Sequence, residues 1–193
     1  TDGSGIQVTT HNITYCTTGM YQNALATAGI EDAEIVVAGP FNISGTAALV
    51  GAIKSYENMT GEKVEQENVD TATNELVVTG QLAESVGDSE KAEQLVGAVK
   101  EEVVEGENLS KEEIGEVVDQ AAQEMEVKLS DEDRQAIIEL MEKIKGLDLN
   151  LDSLKQQAKD LYDKIDKLNL DINPEKVQGF FSKIIAFFKN LFS

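Results

Sequence analysis

The feature that most constrains the fold is the stretch from Ala33 to Gly61, where a β-branched run is followed by a helix rich in small residues. The run Glu34–Ala38 predicts a short buried strand, and Gly39-Pro40 is expected to end it. Asn42 or Ser44 is expected to cap the following helix, since both side chains can accept hydrogen bonds from its first turn. The stretch therefore predicts a strand followed by a helix that ends at its closing glycine.

The residues before this stretch predict a second strand and a second helix. Ile6, Val8 and Thr10 alternate with polar residues, and the alternation changes phase at His11-Asn12. We expect one strand over residues 6–16, with a bulge at the phase change. Thr17 or Thr18 is expected to cap a helix that ends at Gly29. Because two strands make a marginal sheet, we infer that further strands are missing, either removed from the N-terminus or supplied by a partner.

Beyond about Gln66 the sequence predicts helices only. Expected helices span residues 67–86 and 89–105, start at a Ser110–Glu113 capping box, at Ser130 and at Asp152, and end with a helix after Asn173-Pro174. We predict an α+β fold, with a small β-α-β-α sheet layer followed by an all-helical region. The predicted divisions are an α/β core domain over 1–61, an acidic helical region over 62–146, and a helical hairpin over 147–193.

The charge of the chain is strongly negative and unevenly distributed. The formal net charge is −20, and residues 62–133 hold 22 acidic residues against 5 lysines. Such a field opposes binding of nucleic acid or anionic lipid through this segment, and we predict no nucleic-acid partner. Cys16 is the only cysteine of the sequence, so an intrachain disulfide is excluded.

Residues 3–61 also carry a family resemblance. The matching features are an Asn12-Ile13 strand, the helix Met20-Tyr21-x-Asn23-Ala24-Leu25, Ala28-Gly29, and the run Ser44-Gly45-Thr46-Ala47-Ala48-Leu49. These residues resemble the core of a secreted protein family of Firmicutes, known as domain of unknown function 1002, and the likeness continues more loosely to about residue 145. The resemblance implies an extracytoplasmic bacterial protein, secreted or in the cell envelope, and supplies no activity.

The start of the chain agrees with that expectation. The sequence begins Thr1-Asp2 without an initiator methionine, which we interpret as the interior of a longer precursor. The resemblance implies that the precursor carries a signal peptide and a further segment before this point.

The strand-to-helix turn at Ser44, Gly45 and Thr46 is the first candidate ligand site. Helix N-termini at such turns bind phosphate or carboxylate groups, and hydrolases place nucleophilic serines there. The G-x-S-x-G pattern is absent, and a triad would have to use His11, the only histidine. We therefore assign no catalytic residue, and keep a hydrolase or small-anion-binding protein as an alternative. His11 and Cys16 lie five residues apart, on opposite faces of one strand, which argues against a Cys-His dyad.

No cofactor or metal site is predicted. Residues 148–152 begin like a calcium loop, but Ser153 and Lys159 stand where such loops need glycine and glutamate. Leucines at 147, 149 and 151 alternate through the same residues. They favour a linker that buries its apolar side chains.

The last helix gives the clearest physical signal for binding. Its predicted apolar face and two of its lysines are Phe180, Phe181, Ile184, Phe187, Phe188, Leu191, Phe192, Lys183 and Lys189. Residues 176–193 hold three lysines and no acidic residue. Such a helix can lie in a membrane interface, fill a groove of a protein partner, pack on its own domain or self-associate.

These observations favour a non-enzymatic extracytoplasmic protein that binds a membrane surface or a protein partner through residues 174–193. The alternatives are an enzyme or anion-binding protein using Ser44–Thr46, and a homo-oligomeric structural protein in which residues 152–192 form an intermolecular bundle.

Overall fold

The computed structural model describes residues 4–106 and 108–155 of the 193. Within these ranges the order of elements is β1 (Ile6–Ile13), α1 (Thr18–Thr27), β2 (Ala33–Ile43), α2 (Ala48–Thr60), α3 (Gln66–Val86), α4 (Ser89–Glu105), α5 (Lys111–Glu124) and α6 (Asp131–Ile144). Residues 151–155 begin a further helix. The predicted α+β class, a β-α-β-α layer followed by helices, is confirmed.

The two strands of the described ranges form a parallel pair. The register runs from Ile6 opposite Ala33 to His11 opposite Ala38, and then shifts so that Ile13 faces Ile43. Four residues of β2 therefore face Asn12 alone, which takes a left-handed conformation with φ 58°. Its side-chain Nδ2 donates to the carbonyl of Gly39 at 2.8 Å. The bulge predicted at the phase change is confirmed.

The predicted end of β2 at Gly39-Pro40 is wrong. The strand continues to Ile43, because Pro40 falls inside the irregular part of the register, where a missing N–H removes no regular ladder bond. Conversely, β1 ends at Ile13 rather than at residue 16. The chain beyond it stays attached, since Thr14 N donates to Ile43 O at 2.9 Å.

Helix α1 occupies the centre of the molecule. It packs against β1 on one side and against α3 and α4 on the other, and every residue from Gly19 to Thr27 is buried. The sequence predicts a one-sided apolar stripe, whereas the structure also buries polar side chains of this helix. Gln22 Nε2 donates to Ile6 O at 2.6 Å, and Asn23 Nδ2 donates to Glu93 O at 2.9 Å. These bonds satisfy groups that would otherwise be costly to bury.

The predicted bounds of the later helices are confirmed to within a few residues. Gly87 ends α3 in the left-handed conformation, with φ 72°. Asp88 caps α4, and a complete capping box at Ser110 starts α5. Ser130 caps α6. Each signal acts within one turn of the chain, so it can be recognised in the sequence.

One hydrophobic core connects the sheet and the helices. It runs from Ile6 through α1 and the helices to Leu154, so it extends across the predicted boundary at residue 61. The division into three regions stays a prediction. The helix predicted after Asn173-Pro174 lies outside the described residues.

Candidate functional site

The turn between β2 and α2 contains the predicted ligand-binding residues. Gly45 is buried and has φ 90°, and its carbonyl accepts a hydrogen bond from Tyr21 Oη at 2.5 Å. Ser44 is exposed and Thr46 half-buried, with their hydroxyl oxygens 3.4 Å apart. The structure thus brings the two hydroxyls together at the start of the α2 region, and anion binding there stays a prediction.

The expected capping of α2 by Asn42 or Ser44 is wrong. The N-cap is Ala47, which makes no side-chain cap bond. The left-handed Gly45 reverses the chain and Ala48 N donates to its carbonyl at 3.0 Å. The helix therefore begins too far along the chain for either side chain to reach its first turn.

His11 and Cys16 lie in different environments. His11 is exposed near the end of β1, whereas Cys16 is buried. Burial raises the pKa of the Cys16 thiol, with a hydrogen bond to Tyr21 acting in the opposite direction. A thiol with a raised pKa carries little thiolate, so Cys16 has the character of a packed core residue.

The segment 147–155 packs against the helical body. Asn150 Oδ1 accepts from Ser153 N at 3.1 Å, while its Nδ2 donates to Glu31 Oε1 at 3.0 Å. The leucines at 147, 149 and 151 are half-buried, and Leu154 is buried. The prediction that the leucines at 147, 149 and 151 are buried is therefore confirmed only in part, and Leu151 already belongs to the helical residues 151–155. Within the described ranges, no group of three His, Cys, Asp or Glu side chains is placed to hold a metal ion.

A buried polar network joins α1, α3 and α4. Lys100 Nζ on α4 donates to Glu75 Oε1 at 2.9 Å, to Asn23 O at 2.8 Å and to Thr27 Oγ1 at 3.2 Å. The Thr27 hydroxyl in turn donates to the other oxygen of Glu75. The three donors of the ammonium group are therefore all used. The side chains of Lys100 and Glu75 are 3% and 0% exposed. The pair is therefore shielded from solvent and links the three helices within the core.

Sequence reasoning missed this network, although it leaves a signal. Glu75 follows Ala72 by three residues and precedes Thr79 by four, which puts it on the buried face of α3. Lys100 follows Val96 by four residues on the buried face of α4. A charged residue at a stripe position on each of two helices indicates a buried pair.

A second set of buried acids lies near the C-terminal end of α4. Glu101 and Glu102 are both buried, and Glu101 Oε2 has no hydrogen-bond partner within residues 4–106 and 108–155. Burial raises the pKa of Glu101 to about 7 and that of Glu102 to about 8. Repulsion from Glu105 contributes to the raised pKa of both carboxyls, Glu101 contributes to that of Glu102, and Lys155 acts in the opposite direction on both. These carboxyls therefore titrate near neutral pH, unlike ordinary glutamates.

The outer face of the sheet carries apolar side chains. Val36 is 63% exposed and Phe41 is 70% exposed, both on β2. Each strand of the described part pairs with one neighbour only. Parallel sheets usually also have both faces covered, whereas Val36 and Phe41 are exposed. The inference that further strands complete this sheet stays a prediction. No helix in the described ranges has the length and apolar character needed to cross a bilayer.

Comparisons with known proteins give a consistent result. A family profile described as "Protein of unknown function (DUF1002)" matches residues 1–161. The chain is 38% identical over 192 residues to "Uncharacterized protein YpuA" of Bacillus subtilis (strain 168). The aligned residues cover 99% of this chain and 65% of the relative. The chain thus spans about two-thirds of the length of that relative. A search of the solved structures found no match.

The profile match extends well beyond residues 3–61, where the resemblance is strongest in sequence. It covers the sheet layer, helices α1 to α6 and the segment 147–155. Together with the identity to the Bacillus protein over nearly the whole chain, it shows that this chain belongs to the DUF1002 family.

Proposed function

We propose that the protein is a non-enzymatic binding protein that works outside the cytoplasm and attaches to a lipid surface through residues 174–193. The observation that carries this proposal is the contrast in charge along the chain. Residues 176–193 hold three lysines and no acid. Residues 1–175 hold 13 basic and 36 acidic residues, a net charge of −23. A basic, Phe-rich segment in an otherwise acidic chain suits attachment through that segment.

The energetics favour the apolar side chains as the main source of affinity. Each large apolar side chain removed from water contributes roughly 1.5–3 kcal/mol when fully buried. A lysine near an anionic membrane contributes about 1 kcal/mol. Repulsion between the acidic body and the same membrane is screened over about 8 Å at physiological salt. We therefore expect binding to depend first on the phenylalanines and second on anionic lipid.

Vesicle flotation of the full chain tests this function. Vesicles of phosphatidylcholine alone are compared with vesicles that also contain phosphatidylglycerol. The double variant Phe187→Ser, Phe188→Ser should abolish flotation, and Lys183→Glu, Lys189→Glu should weaken it on anionic vesicles only. The matched control is Phe41→Ser, which removes an exposed phenylalanine from β2 and should leave flotation unchanged.

The outcomes distinguish lipid attachment from self-association through residues 174–193. Equal flotation of the native chain and the Phe187, Phe188 variant refutes lipid attachment through the segment. If the native chain instead elutes as an oligomer that the same variant dissociates, the segment mediates self-association and the alternative of an oligomeric protein replaces the proposal.

The extracytoplasmic location is supported by the family resemblance. Externally added protease tests it on intact cells that express the full-length relative from Bacillus. Cleavage of the region matching residues 4–155 without lysis supports an external location. Protection until lysis refutes it.

A further inference from the structure

The backbone groups of β1 point alternately toward β2 and away from it. In a parallel pair the N–H and C=O of one residue face the same neighbour, and those of the next residue face the opposite side. Ala33 N donates to Gly5 O at 3.2 Å, and Ala33 lies opposite Ile6 in the register. The alternation therefore turns the N–H and C=O groups of Ile6, Val8 and Thr10 away from β2.

These outward groups form an open edge of the sheet. The first position is covered by α1, because Ile6 O accepts a hydrogen bond from Gln22 Nε2 at 2.6 Å. Within residues 4–106 and 108–155, β1 pairs only with β2, and no hydrogen bond reaches the outward groups of Val8 and Thr10. These two residues thus offer two N–H donors and two C=O acceptors to a further strand.

The opposite edge, on β2, is less suited to a further strand. By the same alternation Glu34, Val36 and Ala38 turn away from β1, and Glu34 is exposed. The regular register ends at Ala38, and Pro40, which follows, has no N–H to donate. Charged side chains and prolines are features that protect solvent-exposed edge strands. By contrast, β1 contains no proline and no Asp, Glu, Lys or Arg.

The side chains along β1 determine which kind of strand fits beside it. Ile6 belongs to the core and Val8 is partly buried against it, whereas Gln7 and Thr9 are exposed on the other face. A neighbouring strand continues both faces, since successive side chains alternate across a sheet. The fitting strand is therefore apolar at every second residue and polar between.

We propose that β1 is the docking edge for a strand of the same chain, supplied by the part of the full-length family protein that lies outside the aligned residues. The aligned residues cover 65% of the Bacillus relative, so about a third of its length can supply this strand. Even a parallel neighbour needs only about a dozen linking residues. This docking is independent of the lipid attachment proposed above.

The charge of the chain favours a strand of the same molecule over a second copy. The formal net charge is −20, so two copies repel each other, and pairing them edge to edge brings their bodies within the roughly 8 Å over which salt screens charges. A segment tethered to the same chain is instead present at a high effective concentration.

Amide hydrogen exchange followed by NMR tests the docking edge. In this chain the outward amides of Val8 and Thr10 should show less than about tenfold protection, whereas the intervening Thr9 amide, which faces β2, should be protected at least about a hundredfold. In the full-length Bacillus relative, the residues aligned with Val8 and Thr10 should gain about a hundredfold protection. The matched control is the residue aligned with Val36 on the opposite edge, which should stay unprotected.

Nuclear Overhauser effects identify the strand that docks. In the relative, the amide aligned with Val8 should show cross-strand contacts to a segment outside the aligned residues. A mixture of isotope-labelled and unlabelled copies separates contacts within one molecule from contacts between two. Contacts that arise only between two molecules would replace the proposed occupant by a second copy and so overturn the proposal.

The exchange data can also refute the docking edge directly. Fast exchange in the relative at the residues aligned with Val8 and Thr10 means that no strand covers this edge. Protection at the residue aligned with Val36 alone means that β2 is the docking edge instead. Strong protection of Val8 in dilute solutions of this chain means that its own residues already cover the edge. Each of these results overturns the proposal.

Discussion

Replacing Lys100 by methionine tests how the centre of the molecule is held together. Methionine keeps most of the buried stem and removes the ammonium group. Glu75, which is 0% exposed, then keeps the hydroxyl of Thr27 as its hydrogen-bond donor among the described residues. Breaking a buried ion pair on one side destabilises a protein by about 3–5 kcal/mol, because the remaining charge is uncompensated. For a chain of this size the midpoint of thermal unfolding should fall by about 6–20 °C.

The double variant Lys100→Met, Glu75→Leu separates the unpaired charge from the loss of the bonds. With both charges removed, an apolar pair of similar volume should recover most of the lost stability, to within about 1–2 kcal/mol of the native chain. The matched control is Lys111→Met, which breaks the ion pair with Glu142 at 3.1 Å, between side chains that are 46% and 38% exposed. That change should alter stability by less than about 1 kcal/mol.

Chemical denaturation followed by far-ultraviolet circular dichroism measures these differences. Guanidinium also screens charges, so urea is preferred for a chain of net charge −20. The reasoning fails if Lys100→Met destabilises the chain no more than Lys111→Met does. It also fails if the two substitutions at the buried pair simply add, since additivity would mean that the charges do not interact.

Urea denaturation also checks the expected outcomes of several further changes. Gly45→Ala should destabilise the protein by about 2–4 kcal/mol, because φ is 90° and the added Cβ would clash with Tyr21 Oη. Gly51→Ala, in open space on α2, should instead stabilise the protein by about 0.5–1 kcal/mol. Equal changes in the free energy of unfolding for the two variants would contradict both expectations. Ser110→Ala should remove the α5 capping box and lower the free energy of unfolding by about 1 kcal/mol. Burial raises the pKa of Glu102 from 4.5 to about 8, so the free energy of unfolding should fall by roughly 1 kcal/mol per unit as pH rises between those values. Glu102→Gln should remove this contribution and leave the one that Glu101, with a pKa raised to about 7, makes below that pH.

Local signals in the sequence account for most of the helix bounds. Asp88, Ser110 and Ser130 each accept a bond from a backbone N–H three residues on. Gly61 and Gly87 end their helices in a left-handed conformation. The bulge at Asn12 was visible for the same reason, because a change of alternation phase and its backbone cause lie at the same residue.

The same local reasoning failed at the turn before α2. A serine ahead of a helical pattern is a common cap, but the bond from Tyr21 to Gly45 ties this turn to α1. The predicted strand end at Gly39-Pro40 failed because proline breaks a strand only where the partner strand needs its N–H. Here the partner strand contributes a side chain in place of a regular ladder bond, since Asn12 Nδ2 donates to the carbonyl of Gly39.

What the sequence alone determined is the list of elements, their order and the acidic character of the middle of the chain, since each depends on residues within a turn or two. Only the tertiary structure decided which polar side chains lose contact with water. The network around Lys100 joins residues 25 to 77 positions apart, and Glu101 and Glu102 are buried because elements distant in sequence pack around α4. The ionisation of a side chain depends on everything packed around it, and that surrounding comes into existence only when the chain is folded.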